Sequence, residues 1–184
     1  MGDEVGDEGT SDDAGGVRRV VLCFVVREVD GRRDVLLGRK KRGFGTGKVV
    51  GLGGHLVPGE TERAAAVREV IEESGLTVDP GDLVVAGGLL FTFPSRPDWD
   101  MHTTVFVVTR WAGVPTETEE IAPQWYAVDS LPFELMWSDA EAWIPEVLAG
   151  HPIDGTVVYA ADNQSMASHD LRRVAPVARA PNRH

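Results

Sequence analysis

The chain has 184 residues, a length that suits one domain with a core large enough to fold without disulfides. Hydrophobic residues make up 42% of the chain, but no apolar run approaches membrane-spanning length, so no membrane segment is expected. The formal net charge is −11, and no basic surface for duplex nucleic acid is evident, whereas a small anionic substrate bound with a metal ion fits this composition.

The cysteine content points to a reducing compartment. Cys23 is the single cysteine, lies in the apolar run VVLCFVV and has no partner for an internal disulfide. No leader of charged and then apolar residues is visible, so no signal peptide is expected. These features favour a cytoplasmic location, and nothing in the sequence calls for an obligate protein partner.

The two ends differ in composition from the middle of the chain. Residues 1–16 carry six acidic and no basic side chains without a hydrophobic pattern, which predicts a disordered, solubilising tail. A protein contact made by this tail is the alternative. Residues 175–184 are basic and contain proline, and we expect them to fray. The expected domain therefore spans residues 17–174.

In chain order, apolar and β-branched runs predict strands, and helical spacing predicts two helices. In the first part, a buried strand is predicted at 18–29, a turn at 29–34 and a short strand at 35–40. A glycine-rich loop passage at 41–54 then leads into a helix. In the second part, strands are predicted at 82–93 and 102–111, with a hairpin loop at 94–100 between them, and a third strand at 123–131. A helix at 138–150 and a final hairpin of 155–161 with 168–174 follow. Ser138 is a candidate N-cap of the second helix, and Gly150 lies near its end. This order predicts an α/β (α+β) fold with a mixed sheet sandwiched between helices.

The first helix lies within residues 51–76, GLGGHLVPGETERAAAVREVIEESGL, which carry the most specific pattern in the chain. Gly54 is followed after five residues by Glu60, and after seven more by Arg68-Glu69-Val70; single intervening residues then lead to Glu72-Glu73 and to Gly75-Leu76. Gly75 suits the left-handed residue that ends a helix. Helical spacing also predicts an apolar face toward the core, formed by Ala64, Val67, Val70 and Ile71.

The carboxylates of this helix suggest a metal site. Glu69, Glu72 and Glu73 lie three and four residues apart, so they share one helix face and repel one another. A hard divalent cation, Mg²⁺ with Mn²⁺ as a substitute, would turn this repulsion into attraction. The glycines before the helix let a backbone carbonyl approach a metal or phosphate, and Glu60 and Arg68 are expected to pair as scaffold. A solvated acidic helix face is the alternative interpretation.

The pattern resembles the Nudix box, the signature of metal-dependent enzymes that cleave nucleoside diphosphates linked to another group. The resemblance runs from about Arg19 to Val174, with a small insertion near residues 30–33. Its flanks, LLGRKKRGFGTGK before the box and EEIAPQWYAVDSLPFELMW with Trp143 after it, are similar to the oxidised-purine nucleoside triphosphate hydrolases. These are MutT-like enzymes that sanitise the nucleotide pool in animals, so the resemblance implies a Nudix fold and the same reaction class.

The resemblance implies both chemistry and ligands. Water attacks a phosphorus of the triphosphate in line, releasing the monophosphate and pyrophosphate, while Mg²⁺ neutralises phosphate charge and lowers the pKa of a bound water. The implied metal ligands are the Gly53 carbonyl and four carboxylates that are also the expected catalytic residues: Glu69, Glu72, Glu73 and Glu120. The water's proton could pass to Glu72, Glu73 or Glu120, and the sequence does not choose among them.

The resemblance also implies a substrate pocket. Its expected residues are Lys40, Phe44, Val50, Leu52, Gly53, Gly54, His55, Phe91, Trp137, Asp139 and Trp143. Aromatic faces that stack on a base contribute about 1–3 kcal/mol each. The alternatives are ordinary core positions for Phe91 and the tryptophans, a solvated turn for Lys40 and a simple loop position for His55.

Three positions depart from the family's pattern. Val50 and Ala140 stand where the family has a pocket asparagine and the second of two aspartates, and an apolar residue near Val21 replaces a threonine. The family uses these groups to hydrogen-bond the edge of the base, and Asp139 alone remains. We therefore expect the reaction class to transfer, with a pocket that is laxer or tuned to another base.

Three functions follow from these expectations. The first is hydrolysis of oxidised purine nucleoside triphosphates such as 8-oxo-dGTP or 2-oxo-dATP. The second keeps the chemistry but acts on an undamaged or methylated nucleotide or on a nucleotide sugar. The third is a nucleotide-binding sensor without catalysis, which is disfavoured because all four carboxylates are present.

Overall fold

The computed structural model describes residues 16–177. The acidic tail expected at residues 1–16 lies outside this range except for Gly16, and the basic tail expected at 175–184 lies outside it from residue 178. Among the described residues, no helix is both long and apolar enough to cross a membrane.

Within this range the chain forms nine strands and two α-helices. Their order is β1 (Arg18–Val29), β2 (Arg32–Lys40), β3 (Val49–Val50), β4 (Leu52–His55), α1 (Glu62–Ser74), β5 (Val84–Thr92), β6 (Met101–Val108), β7 (Ile121–Ala127), α2 (Ala140–Leu148), β8 (Ile153–Tyr159) and β9 (Met166–Arg173). Short 3₁₀ helices lie at Pro80–Asp82, Pro97–Trp99 and Phe133–Leu135.

All nine strands belong to one mixed sheet, whose main path is β3-β2-β1-β6-β5-β8-β9. The pairs β1–β6 and β5–β8 are parallel, and the other pairs are antiparallel. The amino-terminal half of β1 pairs with β4 and its carboxyl-terminal half with β2, while β7 pairs along β2. Strand β1 therefore connects the short glycine-rich strand β4 to the rest of the sheet.

Alternate strand residues face two cores on opposite sides of the sheet. The α1 face is the side that packs against α1, and its buried strand residues are Val21, Cys23, Val25, Leu36, Leu52, Phe106, Val108 and Ile121. The α2 face packs against α2, and its buried strand residues include Phe24, Val26, Val35, Leu37, Leu89, Phe91, Val105 and Val157. The mixed sheet between two helices expected from the sequence is thus confirmed.

Local signals account for most of the predicted elements. Asp30 and Gly31 have φ values of 51° and 74°, which close the β1–β2 hairpin where the sequence VDGRRD predicts a turn. Thr61 caps α1 by accepting a hydrogen bond of 3.2 Å from the Ala64 amide, and Gly75 ends the helix at φ 73°. The hairpins β5–β6 and β8–β9 are present as predicted.

Three local predictions are wrong. The passage at 41–54 is not only loop, because β3 and β4 lie within it. Of the apolar face predicted for α1, Val70 is buried, but Ala64 is exposed and Ile71 is 44% exposed. The packed face of α1 carries small residues and two glutamates beside Val70. Ser138 does not cap α2: its hydroxyl donates to the Gln164 carbonyl and accepts from the Met166 amide.

Candidate active site

Two glycines of β4 form the surface on which α1 packs. A Cβ atom on Gly53 would lie 1.9 Å from the carbonyl oxygen of Val21, and one on Gly54 would lie 2.4 Å from Oε1 of Glu69. Only glycine permits so close an approach of β4 to β1 at Gly53 and of β4 to α1 at Gly54. The Gly53 amide donates a hydrogen bond of 2.9 Å to Oε2 of Glu73. The glycines of the motif therefore bring backbone directly against two carboxylates.

Glu69 and Glu73 are both buried, with 9% and 3% of their surface exposed. The pKa of Glu73 is raised to about 7, mainly by burial and also by the charges of Glu69 and Glu120, while the hydrogen bond from the Gly53 amide and the charge of Lys40 oppose the rise. Burial also raises the pKa of Glu69, although its hydrogen bond from Arg68 acts in the opposite direction. Negative charge is therefore costly here, and a cation would stabilise it.

Arg68 ties the loop before α1 to the helix. Its Nε and Nη2 donate to the two oxygens of Glu60, both at 2.9 Å, and Nη2 also donates to the carbonyl of His55 at 3.0 Å. Its Nη1 donates to Glu69 at 2.6 Å and to Glu72 at 3.2 Å. The hydrogen bond from Arg68 lowers the pKa of Glu60. The expected pairing of Glu60 and Arg68 is present, and its bidentate geometry fixes the loop.

The other two expected metal ligands are more exposed. The Glu72 side chain is 58% exposed, and its charge raises the pKa of Glu69. Glu120 lies just before β7, where its carbonyl accepts a hydrogen bond of 2.8 Å from the Lys41 amide. Lys40 at the end of β2 places Nζ 3.9 Å from Oε1 of Glu73. The end of β2 therefore brings a lysine close to the buried Glu73, while the charge of Glu120 also acts on Glu73.

The donor set fits a hard divalent cation. In residues 16–177 no three carboxyl, imidazole or thiol groups converge as a ready-made metal site, and Glu69 and Glu72 accept hydrogen bonds from Arg68 instead. All the candidate donors are oxygens, as Mg²⁺ prefers, and the buried ones carry charge that burial disfavours. To bind a cation, Glu69 and Glu72 would have to replace their hydrogen bonds from Arg68 with bonds to the ion.

A cavity of about 200 Å³ opens on the α2 face, and Lys40, Gly53 and Gly54 form the part of its wall next to the carboxylates. Most of the remaining wall is aromatic, with contributions from Phe24, Phe44, Phe91, Phe93, Trp99, Trp137, Trp143 and Tyr159. The ring of Phe44 stacks on Trp137 with centroids 5.2 Å apart and planes at 19°. Flat aromatic walls of this kind suit a planar aromatic ligand such as a nucleobase.

Polar groups are few in this cavity. Asp139, the residue before α2, is 3% exposed, and its Oδ2 accepts a hydrogen bond of 2.7 Å from Nε1 of Trp143. Its Oδ1 accepts from the hydroxyl of Tyr159, whose pKa is raised by burial and by the charge of Asp139. The hydroxyl of Thr103 has no hydrogen-bond partner within the described residues. His55 also lines the cavity, and burial lowers its pKa.

The cavity brings together every residue expected at the substrate site except Leu52. Leu52 is corrected: its side chain is fully buried on the α1 face, because it alternates along the chain with Gly51 and Gly53. Val50 and Ala140 both line the cavity, so two departures from the family's pattern lie in its wall.

The third departure was expected near Val21. Val21 is buried on the α1 face, whereas its neighbours Val20 and Leu22 line the cavity.

Sequence reasoning missed several lining residues, among them Phe93, Trp99, Met101, Thr103, Met136 and Tyr159. Two-residue alternation could have found Phe93 from Phe91, which was expected at the site. Tyr159 depends on the long-range pairing of β5 with β8, and Trp99 ends a three-residue 3₁₀ helix too short to show periodicity, so neither carried a local signal.

Comparisons with known proteins agree with this geometry. A model of the NUDIX domain matches residues 16–147. The oxidized purine nucleoside triphosphate hydrolase of Mus musculus is 41% identical over 141 residues, which cover 76% of this chain and 87% of the mouse protein. The protein of that name from Danio rerio is 46% identical over 129 residues, covering 70% and 79% respectively.

Among solved structures, the mutator MutT protein from Bacillus halodurans matches with a TM-score of 0.69 and 25% identity, covering 84% of this chain and 97% of that chain. The chain belongs to the NUDIX domain family and is a Nudix hydrolase. The fold and the enzyme class expected from residues 51–76 are thereby confirmed. Hydrolases of this family generally use divalent metal ions, which the oxygen donors beside β4 fit.

Proposed function

We propose that the protein hydrolyses oxidised purine nucleoside triphosphates to the monophosphate and pyrophosphate, with Mg²⁺ or, as a substitute, Mn²⁺. The observation that supports this most is the contact between an aromatic cavity and a carboxylate cluster. Gly53 and Gly54 line the cavity and also touch Glu73 and Glu69. A nucleotide with its base in the cavity would extend its phosphates toward the carboxylates. Two relatives carry this substrate class in their names.

The residues divide into two groups of roles. The Gly53 carbonyl, Glu69, Glu72, Glu73 and Glu120 would hold the metal, which when bound supplies charge neutralisation at the phosphates and a water of lowered pKa. Lys40 lies where cavity and carboxylates meet and would contact a phosphate oxygen. Arg68 and Glu60 would hold the end of β4 and the following loop against α1. The proton acceptor is one of Glu72, Glu73 and Glu120.

The cavity residues would bind the base. Phe44 and Trp137 would separate to admit the ring or stack on one of its faces, and Asp139 would accept hydrogen bonds from its edge. The partner is thus a small nucleotide rather than a duplex nucleic acid, a membrane or a protein. We place the protein in the cytoplasm, where its buried, unpaired Cys23 stays reduced, and assign the activity to a domain of residues 17–174.

A second candidate function keeps the chemistry and changes the base. Val50 and Ala140 line the cavity, and neither side chain can form a hydrogen bond with a base. Apolar shape discriminates between ligands only about 10–200-fold, whereas a site built to hydrogen-bond its ligand reaches about 10⁴–10⁵-fold. An undamaged or methylated nucleoside triphosphate, or a nucleotide sugar, is therefore the competing substrate.

Steady-state hydrolysis of a nucleotide panel with Mg²⁺ tests both functions. The panel contains 8-oxo-dGTP, 2-oxo-dATP, their ribo forms, the ordinary dNTPs and ADP-ribose, and ion exchange separates monophosphate from pyrophosphate. We expect kcat/KM for an oxidised purine to exceed that for its ordinary counterpart by at least about tenfold. Equal values, or release of AMP from ADP-ribose, would favour the second candidate, and no hydrolysis of any compound in the panel would refute both.

A pair of glutamine variants connects the reaction to the carboxylates. Glu73→Gln keeps an acceptor for the Gly53 amide but removes the charge, and we expect kcat to fall by about 10²–10⁴-fold. Glu119→Gln is the matched control, because Glu119 is an exposed neighbour of Glu120 that pairs with Arg42 at 2.6 Å. Mg²⁺ should raise the melting temperature of the wild type and of Glu119→Gln, but that of Glu73→Gln less.

A further inference from the structure

Among the described residues that line the cavity, Thr103 is the one with a buried side-chain oxygen that no protein group binds. The residue is 1% exposed, and its hydroxyl has no hydrogen-bond partner. The other such oxygen in residues 16–177, Oδ1 of Asn163, lies outside the cavity. A hydroxyl buried in this way gives up its hydrogen bonds to water and gains none from the protein. The hydroxyl of Thr103 is therefore available to a ligand.

The side chains beside Thr103 in the sheet are apolar. Val20 on β1 and Leu89 on β5 pair with it in register, and Met101 and Val105 lie two residues before and after it on the same face of β6. A β-branched residue suits a strand, but valine would suit this strand equally and would leave no polar group unpaired. The hydroxyl costs the free protein stability, which points to a role in the complex with a ligand.

The place of Thr103 in the sheet determines which part of a nucleotide would lie over it. Gly53 and Gly54, beside which the phosphates are proposed to lie, belong to β4; β4 pairs with β1, and β1 pairs with β6. Two such steps place Thr103 about 10 Å from the glycine strand. Tyr159 on β8 lies two strands further across the sheet. Because the sugar follows the phosphates and the base follows the sugar, Thr103 would lie under the part of the base next to the sugar.

Oxidation changes a purine at this part of the base. C8 is bonded to the ring nitrogen that carries the sugar, and in an ordinary purine it carries a hydrogen atom. Oxidation at C8 replaces that hydrogen with a carbonyl oxygen, which accepts hydrogen bonds. A threonine hydroxyl can donate one hydrogen bond, and that of Thr103 has no protein acceptor to give up, so it can rotate toward this oxygen without losing a bond.

We propose that Thr103 is a further specificity-determining residue, whose hydroxyl donates a hydrogen bond to the C8 carbonyl oxygen of an oxidised purine. This inference rests on the proposed function and names the oxidised position that the cavity selects. Two other buried donors of the cavity, the indole N–H of Trp143 and the hydroxyl of Tyr159, already donate to Asp139. Thr103 supplies a buried donor that is not engaged, so the preference for a base oxidised at C8 depends on this hydroxyl.

Kinetics with nucleotides that differ by the oxidation of C8 test the contact. The ratio of kcat/KM for 8-oxo-dGTP to that for dGTP is measured with Mg²⁺ for the wild type, for Thr103→Val, which replaces the hydroxyl with a methyl group, and for Thr103→Ser, which keeps it. We expect Thr103→Val to lower this ratio by about 3–10-fold, the effect of one neutral hydrogen bond, and Thr103→Ser to keep it within about twofold. The ratio for 8-oxo-dATP and dATP should fall equally, because the contact does not involve the far edge of the base.

Thr104→Val is the matched control. Thr104 is the next residue of β6, pairs with Val21, which is buried on the α1 face, and does not line the cavity. The change removes the same group from the opposite side of the sheet and should leave both ratios unchanged. Without nucleotide, Thr103→Val should melt at or above the temperature of the wild type, because it removes an unpaired buried hydroxyl. A melting temperature several degrees lower, or failure to fold, would show that the hydroxyl serves the free protein and would overturn the proposal.

The remaining outcomes separate the contact from the reaction. Equal losses of kcat/KM on oxidised and ordinary nucleotides would mean that Thr103 contacts a group that both share; this result, or the wild-type ratio in Thr103→Val, overturns the assignment to C8 and leaves oxidised-purine hydrolysis intact. If the wild type hydrolyses none of the four nucleotides, the proposed function fails. The dissociation constants of 8-oxo-dGMP and dGMP, measured calorimetrically for the wild type and Thr103→Val, then give the ratio instead.

Discussion

Both faces of the sheet are apolar, but only the α1 face is filled. On that face α1 contributes Ala65 and Ala66, which are fully buried, and α1 rests directly on Gly53 and Gly54. On the α2 face, α2 packs through large side chains such as Trp143, whose ring lies 5.9 Å from that of Phe24. Small residues let helix and sheet close completely, whereas large rings leave space between them.

The two faces therefore hold different parts of the site. The filled face fixes α1 and with it Glu69 and Glu73, which we propose as metal ligands and which need defined positions for that role. The open face leaves room for a ligand. Strand alternation allows one strand to serve both: in β1, Cys23 packs on the α1 face while its neighbour Leu22 lines the cavity.

The difference between the filled α1 face and the open α2 face should have its largest effect on the free energy of unfolding. Leu36→Ala removes a fully buried side chain from the α1 face, and we expect the free energy of unfolding to fall by about 2–5 kcal/mol because the packed face cannot collapse around the void. Leu22→Ala, beside a cavity that already exists, should cost less than half as much. Denaturant unfolding of both variants measures this difference, and equal losses would show that the two faces are packed alike.

The next effect concerns the contact between strand and helix. Gly54→Ala places a Cβ where Oε1 of Glu69 lies, so the carboxylate must move, and we expect kcat with Mg²⁺ to fall by about 10–100-fold. Gly88→Ala on β5 is the control, since its Cβ would stay 3.4 Å from the nearest atom, Oδ1 of Asp154. Unchanged kcat for Gly54→Ala would mean that the position of Glu69 does not matter for the reaction.

Most of the fold could be predicted from the sequence because its signals are local. The capping Thr61, the left-handed Gly75 and the Asp30–Gly31 turn each act within a few residues. The face of α1 could not be predicted from hydrophobicity, because its packed side consists of small residues and of the glutamates that the site requires. In such a helix the functional groups occupy positions that the hydrophobic pattern would give to the core.

The candidate site was predictable only in part for the same reason. Three of the four carboxylates follow from spacing within one helix, whereas the cavity is assembled from seven strands, four connecting segments and α2. Tyr159 reaches Asp139 only through the pairing of β8 with β5, a contact for which no sequence motif exists. Leu52 was misplaced because a motif gives the position of a residue but not the side of the strand it faces.

A smaller effect is expected at the mouth of the cavity. Phe44 is 42% exposed and stacks on Trp137, so Phe44→Ala should raise KM by about tenfold through lost stacking, with kcat nearly unchanged. Stability should change by less than about 1 kcal/mol, since the ring is only half-buried. Val84→Ala, at 41% exposure and outside the cavity, is the control, and an equal KM for Phe44→Ala and wild type would exclude Phe44 from substrate binding.

The smallest effect is the predicted inertness of Cys23. Burial raises the pKa of its thiol to about 12, and the thiolate is the reactive form, so labelling by a maleimide at pH 8 should be about 10³-fold slower than for a free cysteine. Unfolding in denaturant should restore the ordinary rate. The variant Leu22→Cys with Cys23→Ala moves the thiol by one residue to the α2 face, where the cavity should admit the reagent and bound nucleotide should exclude it. Fast labelling of native Cys23, or none at residue 22, would contradict the assignment of these neighbours to a filled and an open face.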